Sequence, residues 1–144
     1  KRTGPDLQRE GGRNPDSWHF KHMYNPRITS AGSIMPRFPW IITNKLDRSQ
    51  MVEKVKLMKG VFNMPYSKAE IDSAEQWADN QSAAIVKRIY SEANDVKVQM
   101  DKEKIAKGSN FVPLENREIV ALIAYLQRLG TDIKTTDIKT ASVE

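Results

Sequence analysis

The sequence predicts an all-α chain, and three stretches carry that expectation. Between 67 and 107, Ile71, Ala74, Ala78, Ile85, Ile89, Val96 and Met100 recur at three- and four-residue intervals and their sums. That spacing lines them along one side of a long helix, with a break expected near Ala93-Asn94-Asp95. Ile119, Leu122, Ile123, Leu126 and Leu129 repeat the pattern, with Tyr125 beside them and Gly130 as the stop. Met51, Val52, Val55 and Met58 make a shorter stripe that Gly60 is placed to end.

At 144 residues the chain fits one domain of ordinary size, apolar enough for a core. No run approaches the roughly 18 apolar residues of a membrane span, and Lys1-Arg2-Thr3 leads into no signal-peptide core. A soluble chain is expected. The absence of cysteine excludes a disulfide framework, a zinc knuckle and a thiol nucleophile. No Ser-His-Asp ordering or phosphate loop points to a hydrolase.

The net charge of +5 is unevenly placed: residues 1–48 hold nine Lys and Arg against four Asp and Glu, whereas 49–144 hold fourteen of each. The basic residues of the front third are scattered among Pro, Gly and aromatics. That suits a docking surface or partners for acidic groups better than a nucleic-acid groove.

In chain order, Thr3-Gly4-Pro5-Asp6-Leu7 and Gly11-Gly12-Arg13-Asn14-Pro15 are turn chemistry, the glycines serving either a sharp turn or a close approach. Asp16 or Ser17 is placed to cap a short helix over 18–24 that Asn25-Pro26 ends. Trp18 and His22 fall near one side of it; His19 and Met23 share another. With no carboxylate or thiol arranged beside them, His19 and His22 read as hydrogen-bonding residues rather than metal ligands. Arg27 carries a fork that suits a carboxylate or phosphate. Ser33-Ile34-Met35-Pro36-Arg37-Phe38-Pro39-Trp40 is neither helix nor strand, because its prolines remove donors and fix φ. It reads as a rigid loop presenting the thioether of Met35.

Beyond it, Asp47 or Ser49 is placed to cap the 51–60 helix, and Met58 and Met64 read as core residues. Ser67-Lys68-Ala69-Glu70 has capping-box spacing. Trp77, Asn80 and Gln81 show no sign of chemistry. Lys107-Gly108-Ser109-Asn110 is a loop, residues 113–116 introduce the last helix, and 132–144 is a polar tail in which Thr-Asp-Ile-Lys occurs twice from 131 onward.

Thr3-Gly4-Pro5-Asp6-Leu7 with Gly11-Gly12, Trp18-His19-x-x-His22, Asn25-Pro26-Arg27, Ser33-x-Met35-Pro36-x-Phe38-Pro39-Trp40 and Ala121-Leu122-Ile123-Ala124-Tyr125-Leu126-Gln127-x-Leu129-Gly130 occur in that order. Together they resemble the mono-haem cytochrome c subunit (subunit II) of cbb3-type cytochrome c oxidases. The resemblance is dense over 1–40 and good over 115–131; residues 45–113 match only in helical character and read as a helical insertion. Phe38 stands where much of the family has Tyr.

The resemblance implies a cytochrome c-like domain over 1–131 in which Met35 is the distal ligand of haem c. Thioether ligation opposite a histidine raises the haem potential. It implies that a backbone carbonyl near Pro5 orients the ligating histidine, and that Trp40, Phe38 and Leu126 wall the haem from water. Arg27 is assigned to a haem propionate on chemistry alone. The implied function is electron transfer from c-type haems toward a catalytic oxidase subunit, beside a multi-haem cytochrome c subunit, at the periplasmic face of the bacterial inner membrane. Covalent haem c needs Cys-x-x-Cys-His, which the family carries upstream together with a membrane anchor, and this chain has neither. It is therefore read as a truncated, C-terminal part of the periplasmic domain without covalent haem. The last helix and the Met35 loop are then expected to be partly uncovered and to favour self-association. A helical interaction module without redox role is the alternative.

Overall fold

A computed structural model describes residue 4 and residues 6–131. Pro5 and the 132–144 tail lie outside them. The described chain is helical throughout: a 3-10 turn at Leu7–Arg9, then α1 (Asp16–Tyr24), α2 (Pro26–Thr29), α3 (Pro39–Thr43), α4 (Met51–Phe62), α5 (Lys68–Asp72), α6 (Ala74–Glu92), α7 (Asn94–Lys107), 3-10 turns at Gly108–Asn110 and Leu114–Asn116, and α8 (Glu118–Arg128). The pairing of Lys45 with Arg117 is an isolated bridge, and no strand occurs among the described residues.

The core is built around α6, which touches α1, α4, α7 and α8. Ile85, Val86, Ile89, Ala93, Val96 and Met100 form one cluster with Phe20, Ile42, Leu114, Ile119, Val120 and Ile123. Half of that cluster thus comes from the middle of the chain, so the long stripe packs within this domain. The break falls at Ala93 as the sequence predicts, but a second one precedes it at Ser73. The Ser67–Glu70 capping box is present in full, with Glu70 N donating to Ser67 Oγ and Ser67 N to Glu70 Oε2.

Several local expectations are corrected. The loop at Met35 ends at Phe38, because Pro39, with its φ already helical, opens α3. Neither Asp47 nor Ser49 caps α4; Asp47 accepts from Ser49 N in a turn and Gln50 precedes the helix. Gly60 does not stop α4, which continues to Phe62 and ends at Asn63 with φ 49°, a left-handed conformation that Asn tolerates. Met58 and Met64 are not core: both are exposed, α4 packs chiefly on α5 and α6 and buries no residue completely, and Met64 lies just beyond its end. Asp16 is the first residue of α1 rather than its cap, and its carboxylate is buried. Uncovering of the last helix is confined to Tyr125 among its named apolar positions, because Ile119, Val120, Ile123 and Leu126 are buried.

One side chain ties the three parts of the chain together. Arg117, 1% exposed, donates from Nε and Nη2 to the Val112 carbonyl, from Nη1 to the Ile42 carbonyl at 3.1 Å, and pairs with Glu103 of α7 through both Nη1 and Nη2. The Phe111 ring lies 5.4 Å from the guanidinium carbon. Flanking backbone bonds, Leu46 N to Asn116 O and Glu118 N to Asn44 O, hold the same seam. Two carbonyls and a carboxylate are satisfied by one planar cation, which is the condition under which a buried charge is tolerated. Burial and the Glu103–Lys107 and Glu103–Arg117 pairs act oppositely on the Glu103 carboxyl; the net effect lowers its pKa. Replacing Arg117 by Met should lower the unfolding free energy in urea by about 3–5 kcal/mol, because it leaves Glu103 without its buried cation and the carbonyls unpaired. A loss below about 1 kcal/mol would show the seam to be held by the backbone bonds alone.

Candidate functional site

The site is assembled on α1. Its neighbours are α2, which carries Arg27, α3, which begins beside Trp40, and α8, which carries Leu126. The amide of Phe38 donates to the Met23 carbonyl at the end of α1, 3.1 Å away, so the far end of the Met35 loop is fixed to the helix. The near end turns through Ser33 N to Ser30 O, with Gly32 at φ 78°. Ser33 Oγ then accepts from Met35 N at 3.2 Å. Met35 is half-buried between these two ties, while Ile34 next to it is 80% exposed. The Phe38 and Trp40 rings meet edge to face at 5.4 Å, with Trp40 51% exposed. Tyr24 and Ile28 are exposed as well, so the uncovering expected of this loop is present. Arg27 is exposed, and its side chain makes no hydrogen bond or ion pair among the described residues.

The glycine-rich segment is stitched to the end of α8. Gly11 N donates to Leu129 O and Gly12 N to Gln127 Oε1, each at 2.9 Å, while Gln127 Nε2 donates to Asn14 O and to Asp16 Oδ1. A Cβ on Gly11 would lie 2.5 Å from the Gln127 carbonyl oxygen, so Gly11 serves a close approach; Gly12, at φ 73° with nothing near, serves the turn. Asp16 Oδ2 also accepts from Arg88 Nε of α6 at 2.6 Å. Gln127 and Asp16 are the residues that sequence reasoning missed here. Their only signal was Gln127 within an apolar helix and an acid at a helix start, and both patterns are common.

The histidines are structural partners of the same helix. His22 stacks on Trp18 with centroids 4.5 Å apart. His22 Nδ1 shares a hydrogen bond with Thr29 Oγ1, whose hydroxyl also reaches the Pro26 carbonyl at 3.1 Å. His19 is buried against the edge of Trp18, and its Nε2 has no hydrogen-bond partner among the described residues. Among those residues no three His, Cys, Asp or Glu side chains are grouped to hold a metal. Burial pushes the His19 pKa below 6.5, opposed by Glu10 and Asp16 and assisted by His22; burial likewise lowers His22, opposed by Glu10.

In the window below 6.5 the unfolded chain binds protons that the folded chain does not, so the histidine contribution to stability is complete above that pH and lost as the pH falls through it. The urea midpoint should therefore drop between about pH 7 and pH 5, before most carboxylates titrate. A His19→Phe variant should show a shallower drop over the same interval.

A family model described as "Cytochrome C oxidase, mono-heme subunit/FixO" matches residues 1–133, running through the middle helices as well as the front and the last helix. No curated protein matches the chain. No helix among the described residues is long and apolar enough to cross a membrane. With its motifs, its helical architecture and almost its whole length accounted for by that match, the chain belongs to the FixO family, the mono-haem subunit of cbb3-type cytochrome c oxidase.

Proposed function

We propose that this chain supplies the distal half of a haem c site and acts in electron transfer toward the catalytic subunit of a cbb3-type oxidase. The observation that carries the reading is the Met35 thioether, half-buried on a loop tied at one end to α1 and at the other to its own serine, beside an apolar surface that the protein leaves open. A haem fits that half of a site: a neutral sulfur donor and an aromatic wall suit iron and porphyrin. The proximal half has no fit among these residues, since there is no cysteine for covalent attachment, His22 Nδ1 meets Thr29 Oγ1, and His19 is buried against Trp18 within the fold. Covalent attachment accordingly depends on a Cys-x-x-Cys-His segment that these 144 residues do not contain.

When bound, haem c supplies one-electron oxidation and reduction. Met35 would favour the reduced state, because a thioether stabilises ferrous iron better than a harder ligand does. Phe38 and Trp40, in edge-to-face contact, would shield the sulfur side of a bound haem from water, and Leu126, buried on α8, would back the same helix group. Arg27 has an uncommitted guanidinium for a propionate. Pro5 is proposed for the proximal side on resemblance alone. Oxygen chemistry belongs to the catalytic subunit, and a multi-haem cytochrome c subunit is the proposed electron source, at the periplasmic face of the bacterial inner membrane.

The test is the optical spectrum of haem-loaded protein carrying a Cys-x-x-Cys-His segment ahead of residue 1, compared with its Met35→Ala variant. The oxidised parent should show a weak near-infrared sulfur-to-iron band that the variant lacks, and the variant's midpoint potential should fall. Identical spectra would remove Met35 from the site and favour a helical interaction module without redox role.

A further inference from the structure

The C-terminal half of α4 is the apolar surface that the haem reading leaves unused. The side that begins with half-buried Met51, Val52 and Val55 continues past the end of its support as Met58 and Phe62, with Leu57 and Val61 on the adjoining side. All four are exposed, Val61 by 67% and Phe62 by 65%, and Met64 follows them into solvent. Lys54, Lys56, Lys59 and Lys68 are exposed around them, and Glu53 is the one acid between 51 and 68.

We propose that this helix end docks on an anionic phospholipid surface, its apolar side chains entering the headgroup boundary while the lysines meet the lipid phosphates. A short amphipathic helix with Phe, Leu, Val and Met on one arc and Lys on the rest has the composition of an interfacial lipid-binding helix. The long lysine stems let Lys54, which lies within the apolar arc, keep its ammonium at the headgroups. A protein partner fits less well, because the cores of protein interfaces are depleted in Lys, whereas here one lysine sits inside the patch. The proposal does not depend on the haem reading.

The experiment is co-sedimentation of the full chain with vesicles of phosphatidylcholine containing phosphatidylglycerol, and with phosphatidylcholine alone. Binding should be confined largely to the anionic vesicles and weaken with salt. Phe62→Asp should lower it about tenfold or more. Ile105→Asp, at a side chain 84% exposed on α7, should leave it within about twofold. A Lys56→Glu/Lys59→Glu variant, which leaves the arc of Leu57, Met58, Val61 and Phe62 untouched, should lower binding about tenfold at low salt. Failure to bind either vesicle, equal binding to both, or equal loss from Phe62→Asp and Ile105→Asp would overturn the proposal. So would a dimer in light scattering that Phe62→Asp dissociates while vesicles go unbound, since a second copy would then be the occupant.

Discussion

The guanidinium of Arg117 is the constraint on which the remaining structure depends. A buried cation demands partners, and the partners it finds come from three separate stretches: the Ile42 carbonyl in the last turn of α3, the Val112 carbonyl before α8, and the Glu103 carboxylate of α7. Satisfying them in one plane sets where the middle helices stand relative to the front of the chain. Apolar burial alone is non-directional and would allow α7 to slide; a five-donor fork does not. The core cluster then closes around α6 with residues from both ends of the sequence.

A second polar network holds the front. Asp16, Arg88 and Gln127 join α1, α6 and α8, and Gln127 also receives the Gly12 amide. Through that network the glycine loop, the end of α8 and the start of α1 become one unit. The Met35 loop is held to the other end of α1 by the hydrogen bond that the Phe38 N–H donates to the Met23 carbonyl. The chain therefore invests polar, directional contacts in α1 and leaves the outer surface of the Met35 loop uncovered.

The α4 helix shows the opposite arrangement. Its first turns are half-buried at Met51, Val52 and Val55, and its last apolar residues, from Leu57 to Phe62, remain in solvent. Periodicity identified the stripe correctly, yet periodicity cannot say how far the opposing element extends. Met58 and Met64 failed as core residues for that reason, and Gly60 failed as a stop because one glycine costs a helix only about 1 kcal/mol. Met35, Phe38 and Trp40 stand out in the sequence because two prolines and two aromatics between 36 and 40 make an uncommon run. Asp16 and Gln127 were not legible, since an acid at a helix start and an amide on a helix are ordinary until their partners, more than seventy residues away, are known.

By itself the sequence determined the helical class, the capping box at Ser67, the break at Ala93, the non-helical stretch through Met35 and, through the order of its motifs, the family. All of these rest on interactions between residues close along the chain, or on patterns that survive without coordinates. Tertiary structure decided that the middle helices supply half the core and that Arg117 is the keystone. It also placed Gly11 against the end of α8 and left the end of α4 unsupported. Each of those depends on which distant groups meet, and in a chain of this length that is set by directional bonds between parts that no local spacing relates.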